Sequence, residues 1–338
     1  MKTAFHPRLI NDPFGDPGLY IQFLYKKRAI LFDLGKLDAL SIRDLLKITH
    51  IFVSHTHIDH FIGFDTLLRH LIGRDKVIFL YGPEGFMECF ENRIRSYNWN
   101  LIKEYENELI FNAGEIREDE ILMKPFHSSK GFKGGKMEVK ERDSLCLIEE
   151  DSFSIETEIF DHKIPVLGFS LIENFHINID KSALDEMDIP VGPWINQFKE
   201  ALYKNPEGDE RFIVRFKKDG RQKELEFNLR ELSDRISKIT KGQKITYITD
   251  IVGSKENMEK AIDLARGADH LFIEATFMDR DRDMAHSKYH LTAKEAGIIA
   301  RKARVKNLTL FHFSPRYSTD SEEIIREAHL FWHSQLKN

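Results

Sequence analysis

With 338 residues, 41% hydrophobic and 31% charged, the chain can bury a full core and has the composition of an ordinary soluble globular protein. A formal net charge of −5 argues against a surface coated in basic residues, while leaving room for local basic patches. The two cysteines, Cys89 and Cys146, lie far apart and form no CxxC pair. Neither a disulfide framework nor a thiolate zinc site is therefore expected, which suits a reducing cytoplasm. Met1 to Ile10 carries no signal-peptide core, and no apolar run approaches a membrane span. One large domain, 1–338, with a sizeable insertion and no membrane contact is the expectation.

Along the chain, strands alternate with helices. Leu19–Tyr25 and Arg28–Leu34 read as paired strands closed by a turn at Lys26-Lys27. Ile51-Phe52-Val53 reads as a buried strand, after which Phe61, Ile62, Phe64, Leu67, Leu68 and Leu71 recur at roughly helical spacing. Val77–Tyr81 and Leu145–Ile148 are further strands, with Gly82-Pro83 marking a turn. Ser128–Lys136 is a Gly/Lys-rich loop, and Glu173–Lys244 is a longer, mixed insert.

Within that insert, Arg211–Lys218 and Arg221–Phe227 flank Asp219-Gly220, a strong hairpin signal. Arg211, Arg215, Lys217, Lys218, Arg221 and Lys223 stand there against the single acid Asp219, so a basic projecting hairpin is expected; a merely solvated hairpin is the plainer alternative. The rhythm then resumes with a strand at Ile245–Thr249, a helix at Lys255–Arg266 and a strand at His270–Ile273. Thr292-Ala293-Lys294-Glu295 has the spacing of a capping box opening a helix to about Ala303. Leu308–Phe311 is a short buried strand, and a terminal helix starts at about Ser321. Two similar halves of this kind predict a layered α/β sandwich.

The densest chemistry is His55-Thr56-His57-Ile58-Asp59-His60, three histidines and an aspartate in six residues at a strand-to-helix turn. Few structural needs call for so many imidazoles together, whereas a pair of metal ions does. Three more candidates share its setting. His162 sits at a turn before the strand that opens at Lys163-Ile164-Pro165, Asp250 follows the strand Ile245–Thr249, and His312 follows Leu308–Phe311. Singly each is weak, because a lone histidine is more often a satisfied core or surface residue. Their common location at strand ends strengthens them jointly.

With Asp33-Leu34-Gly35 before it and Gly63 after it, the cluster His55-x-His57-x-Asp59-His60 resembles that of the metallo-β-lactamase superfamily. Within the superfamily, the chain is similar to ribonuclease Z, the tRNA 3′-processing endonuclease. The similarity runs from about residue 20 to 317 and includes Tyr81-Gly82-Pro83-Glu84-Gly85 and the arm-like Leu184–Pro193. Glu274-Ala275-Thr276-Phe277, Tyr289-His290-Leu291-Thr292 and His312-Phe313-Ser314-Pro315-Arg316-Tyr317 extend it.

The resemblance implies a four-layer αββα sandwich with an arm inserted at 173–244. It implies one ion on His55, His57 and His162, a second on Asp59, His60 and His312, and Asp250 bridging them. Zinc leads, with manganese or iron admitted by the same ligands. Such a pair activates water as hydroxide, with Asp59 counted in the catalytic set, His290 as general acid and Glu274 orienting it.

Three departures are visible. His6-Pro7-Arg8-Leu9-Ile10-Asn11 stands where the family has a Gly-Thr-Gly start and a Pro-x-x-x-Arg-Asn-type loop that helps recognise the tRNA end. Ile273 replaces a histidine, and Thr249-Asp250-Ile251 replaces Gly-Asp-Thr. The leading expectation is a cytoplasmic, homodimeric endonuclease removing 3′ trailers from tRNA precursors, with the arm gripping the RNA. The alternatives are a phosphodiesterase for a small substrate such as a cyclic nucleotide, a thioester or lactone hydrolase, and a non-catalytic RNA-binding relative.

Overall fold

The structure is a computed structural model and describes residues 4–24 and 26–334. Short runs of β-branched and aromatic residues build two large sheets, and the helices between their strands cover the outer faces. The first sheet has eight strands in chain order: Phe5–Leu9, Leu19–Phe23, Ala29–Phe32, Ile48–Phe52, Lys76–Pro83, Leu109–Ile116, Glu120–His127 and Glu138–Glu141. Its centre, from Ala29–Phe32 to Leu109–Ile116, is parallel. Parallel strands are buried on both faces, and Ala29–Phe32 accordingly has all four residues buried.

The second sheet runs in the order Leu308–Phe311, His270–Glu274, Lys244–Ile248, Pro165–Glu173, Phe153–Asp161, Cys146–Glu150. Between the sheets, Phe169 stacks on Phe32 at 5.2 Å and meets Phe52 at 5.5 Å, while Tyr247 lies 5.8 Å from Phe32. The helices Phe64–Leu71 and Phe86–Arg95 pack on the first sheet through Phe64, Leu67, Phe86 and Phe90. Lys255–Leu264, Ala293–Lys302 and Ser321–Trp332 pack on the second through Ala261, Ile299 and Ile324. The result is the four-layer αββα arrangement. No helix among the described residues is long and apolar enough to cross a membrane.

Three local readings shift. The first hairpin forms as Leu19–Phe23 against Ala29–Phe32, and the expected end at Tyr25 lies outside the described residues. Gly82-Pro83 is not a turn: the strand runs on through both residues opposite Glu115 and Ile116, and the chain turns at Glu84-Gly85. Proline is tolerated there because it closes the strand instead of interrupting it. The helical run after the histidine cluster splits into Ile58–Phe61 and Phe64–Leu71. Gly63 sits at the break, where a Cβ would lie 2.2 Å from the Gly35 carbonyl, so only glycine permits that approach.

By contacts the chain divides into two compact units, one comprising Phe5–Leu147, Glu156–Ser170 and the residues from Lys244 on. The other is built chiefly from Ile148–Ile155 and Leu171–Gln243 and has its own core of Trp194, Phe198, Leu202, Val214, Leu229 and Leu232. Its hairpin pairs Arg211–Lys218 with Arg221–Asn228, turning through Asp219 and Gly220, both at positive φ (50° and 72°) as such tight turns require. The hairpin is less basic than its first strand implies. Glu226 pairs with Arg211, Glu224 with Arg215 at 2.9 Å, and Asp188 with Lys218. Cross-strand pairing brings in Glu224 and Glu226, and Asp188 adds a third acid from outside the hairpin.

Candidate metal centre

His55 and His57 leave the end of the strand Ile48–Phe52, and His57 caps the short helix that carries Asp59 and His60. His162 sits in the turn between Phe153–Asp161 and Pro165–Glu173, Asp250 follows Lys244–Ile248, and His312 follows Leu308–Phe311. Backbone strain marks these strand ends. Asp33, Lys163, Asp250, Tyr289 and His312 all have left-handed φ, between 50° and 66°. Non-glycine residues adopt that region rarely, at a cost of order 1–3 kcal/mol each. At Asp33, Lys163, Asp250 and His312 the strain turns the chain sharply at a strand end, and at Tyr289 it does so after the helix Arg282–Ser287.

The donor atoms converge. His55, His57, His162 and Asp250 present atoms all within 4.8 Å of one another, as do Asp59, His60 and His312. Asp250 Oδ2 lies 3.5 Å from His55 Nε2, 3.4 Å from His60 Nε2 and 3.7 Å from His162 Nε2, while Oδ1 is 3.1 Å from His312 Nδ1. His312 Nε2 is 3.3 Å from Asp59 Oδ2.

Three of the imidazoles are aimed by what holds their other nitrogen. His162 Nδ1–H donates to the Tyr289 carbonyl at 2.6 Å. His60 Nδ1–H donates to Asp33 at 2.9 Å, and His55 Nδ1 meets Ser54 Oγ at 3.1 Å. Asp33 is fully buried and also accepts from Ser54 N–H (2.6 Å), Ser54 Oγ–H (2.9 Å) and the Tyr247 hydroxyl (2.8 Å).

The residues fit divalent metal. His55 Nε2 and His60 Nε2 are buried without a hydrogen-bond partner, a condition that costs about 1–3 kcal/mol per group unless something ligates it. Burial pushes His55 down to about 2, which leaves the neutral imidazole a metal requires. Burial alone would also depress His60, but Asp250 and Asp33 outweigh it and hold a proton there well above the ordinary range. An ion would displace that proton.

Beside the cluster, His290 Nδ1–H donates to Glu274 Oε2 at 2.9 Å. Glu274 is fully buried, and its oxygens also accept from Ile251 N–H (2.7 Å) and Thr276 Oγ–H (2.5 Å). Asp250, Glu274, His290 and His312 also fall within 4.8 Å of one another and could themselves surround an ion. The saturation of Glu274 by donors favours an orienting role instead. Burial works against a charged His290, yet the charge and hydrogen bond of Glu274, helped by Asp250, raise it to about 9.

No family model matches the chain. It is similar to ribonuclease Z of Deinococcus radiodurans, with 26% identity over 303 residues covering 88% of this chain and 86% of that protein. Among solved structures it is similar to the metallo-beta-lactamase fold protein YhfI of Bacillus subtilis, with a TM-score of 0.53 at 14% identity over 97% of this chain and 94% of that one. The short form of human tRNase Z gives a TM-score of 0.50 at 19% identity, covering 93% of each chain. The chain has the metallo-β-lactamase fold and resembles ribonuclease Z.

All seven candidate ligands lie in the cluster, and Glu274 and His290 lie beside it. One departure from the ribonuclease Z pattern is inert: Ile273 is fully buried and packs in the apolar cluster of the second sheet and its helices, so it carries no site chemistry. Sequence reasoning assigned no role to Asp33, Ser54, Tyr247 or Thr276. Asp33 and Thr276 left a signal only as members of Asp33-Leu34-Gly35 and Glu274-Ala275-Thr276-Phe277, the stretches that carry the resemblance.

Proposed function

We propose that this chain is a metal-dependent endoribonuclease of the ribonuclease Z type that removes 3′ trailers from tRNA precursors. The observation that carries the reading is the pair of ligand sets meeting at Asp250, with the His290–Glu274 pair at their edge. The resemblance to ribonuclease Z over most of the chain supports the substrate.

When bound at this centre, two divalent ions, zinc in this reading, would lower the pKa of water toward neutrality and neutralise charge on a phosphodiester. His55, His57 and His162 would hold one, Asp59, His60 and His312 the other, with Asp250 placed within reach of both sets. Asp33, Ser54 and the Tyr289 carbonyl fix the ring orientations, which keeps ligand positions set before substrate arrives. His290 has Nδ1 committed to Glu274, so Nε2 is the nitrogen left to deliver a proton to the leaving oxygen. Its elevated pKa keeps that proton in place at neutral pH.

In the same reading, residues 173–244 form an arm that grips RNA through its phosphates, and its grip weakens with salt. The protein works as a cytoplasmic homodimer. The test is cleavage of a 3′-extended tRNA precursor by metal-loaded protein, with the cut mapped. A single cut at the acceptor end is expected. No cut, alongside turnover of a small phosphodiester, would refute the tRNA assignment.

A further inference from the structure

A cavity of about 270 Å³ opens directly onto the centre. Asp59, His290 and His312 line it together with Phe14, Asp16 and Lys288. At this size it accommodates one nucleotide-sized group and not a helix. Phe14 and Asp16 follow shortly after His6–Asn11, the segment that departs from the ribonuclease Z pattern.

That segment is held in place. Phe313 N–H, one residue after His312, donates to the Pro13 carbonyl at 2.8 Å. Asn11 Nδ2–H donates to the carbonyls of Asp16 (2.7 Å) and Lys36 (3.0 Å), and Phe14 N–H donates to Asp12 Oδ1 at 2.9 Å. The Phe14 ring meets Phe313 edge-on at 5.5 Å and is partly buried against the core. The Asp16 carboxylate, by contrast, has no hydrogen-bond or ion-pair partner among the described residues, although it lines the cavity.

A free carboxylate beside a site for phosphodiesters repels the phosphate, so its use must lie with another part of the substrate. Ionised carboxylates only accept hydrogen bonds; a nucleic acid offers donors on its bases and on its ribose hydroxyls, and of these the 2′-hydroxyl alone is present in every ribonucleotide and absent from DNA. Attack by water does not employ the ribose 2′-hydroxyl, so the chemistry proposed above does not by itself distinguish RNA from DNA. A binding contact must do so. Phe14 supplies a fixed face for base stacking, which is tolerant of sequence, and Lys288, in the same lining as the protonated His290, supplies a lysine ammonium for a phosphate.

We propose that Phe14 and Asp16 form a ribonucleoside pocket beside the reacting phosphate, Phe14 taking the base and Asp16 the ribose hydroxyls, so that the site selects RNA over DNA. The inference rests on the endoribonuclease reading for its substrate.

Its test compares cleavage of a 3′-extended acceptor-end RNA with the same RNA carrying one 2′-deoxynucleotide immediately 5′ to the cut. The intact chain is expected to prefer the all-ribose substrate by roughly ten- to hundredfold in kcat/KM, the range spanned by a hydrogen bond to a charged group. Asp16→Ala should bring that ratio close to one, the nearly isosteric Asp16→Asn should keep part of it, and Phe14→Leu should raise KM for both substrates while leaving the ratio unchanged. An undiminished ratio in Asp16→Ala would overturn the proposal.

Calorimetric binding of AMP and of 2′-deoxy-AMP reads the pocket independently of cleavage. Tighter binding of AMP that is lost in Asp16→Ala, in a protein that cuts no RNA, would refute the substrate and keep the pocket. Equal binding of the two nucleotides would overturn the pocket even if the RNA is cut.

Discussion

Asp33→Asn is the substitution that most sharply tests how the centre is held. Asp33 accepts four hydrogen bonds: Ser54 N–H at 2.6 Å, Ser54 Oγ–H and His60 Nδ1–H at 2.9 Å, and the Tyr247 hydroxyl at 2.8 Å. Truncation to alanine would strand these donors in a fully buried place, at about 1–3 kcal/mol each. Set against a total stability of roughly 5–15 kcal/mol, that change confounds function with folding.

Asparagine keeps the shape. Its oxygen can still accept from Ser54 N–H, and the two hydroxyls can rotate to suit the amide. His60 cannot adapt without changing tautomer: facing an amide N–H, its Nδ1 must accept, and the proton moves to Nε2, the nitrogen aimed at Asp59 and Asp250. A protonated Nε2 does not ligate a metal. Loss of such an orienting contact costs typically ten- to hundredfold in metal affinity, about 1.4–2.8 kcal/mol. Competition against a chelator of known affinity, with bound metal counted per chain, measures this directly. Weakening of one of two ions, with the melting temperature in chelator little changed from that of the unmodified protein, is the expected result. Unaltered affinity and stoichiometry would show that Asp33 does not set the tautomer of His60.

Other expectations follow from the same geometry. His290→Ala should retain its metal by elemental analysis while hydrolysis falls by about 10²–10⁴-fold; undiminished activity would remove its role as the acid. Glu274→Gln withdraws the charge that raises His290 to about 9, so the alkaline limb of kcat/KM against pH should move to lower pH, and an unmoved limb would detach that limb from His290. Prolonged chelation should abolish hydrolysis and lower the melting temperature, since ions that bind only the folded chain stabilise it, and adding back metal should restore both. Asp59→Ala should lose activity together with one of the two ions; full occupancy would count against Asp59 as a ligand.

Much of the centre was legible in the sequence because its ligands are chemically scarce and sit where strands end. His55-x-His57-x-Asp59-His60 announces itself by density, and His162, Asp250 and His312 each follow or precede a readable apolar strand. The capping box at Thr292 also formed as its spacing requires. Local information sufficed for these features, since periodicity, capping and residue type act within a few positions. Strand boundaries did not follow so simply, as Gly82-Pro83 shows: the neighbouring parallel strand continued the ladder through residues that read as a turn.

Tertiary structure decided what no short window contains. The ion pairs that neutralise half of the hairpin's cations depend on cross-strand register and on Asp188. Asp33 meets Tyr247 across 214 positions of sequence, and only the packing of one sheet on the other makes that hydrogen bond. Pro13 binds Phe313 N–H from the far end of the chain, which places Phe14 and Asp16 at the cavity. The residue types that can ligate metal are properties of single side chains and are written in the sequence. Their aim is not, because for His60 and His162 it depends on the second ring nitrogen and on Asp33 and the Tyr289 carbonyl, partners that folding alone brings within 3 Å.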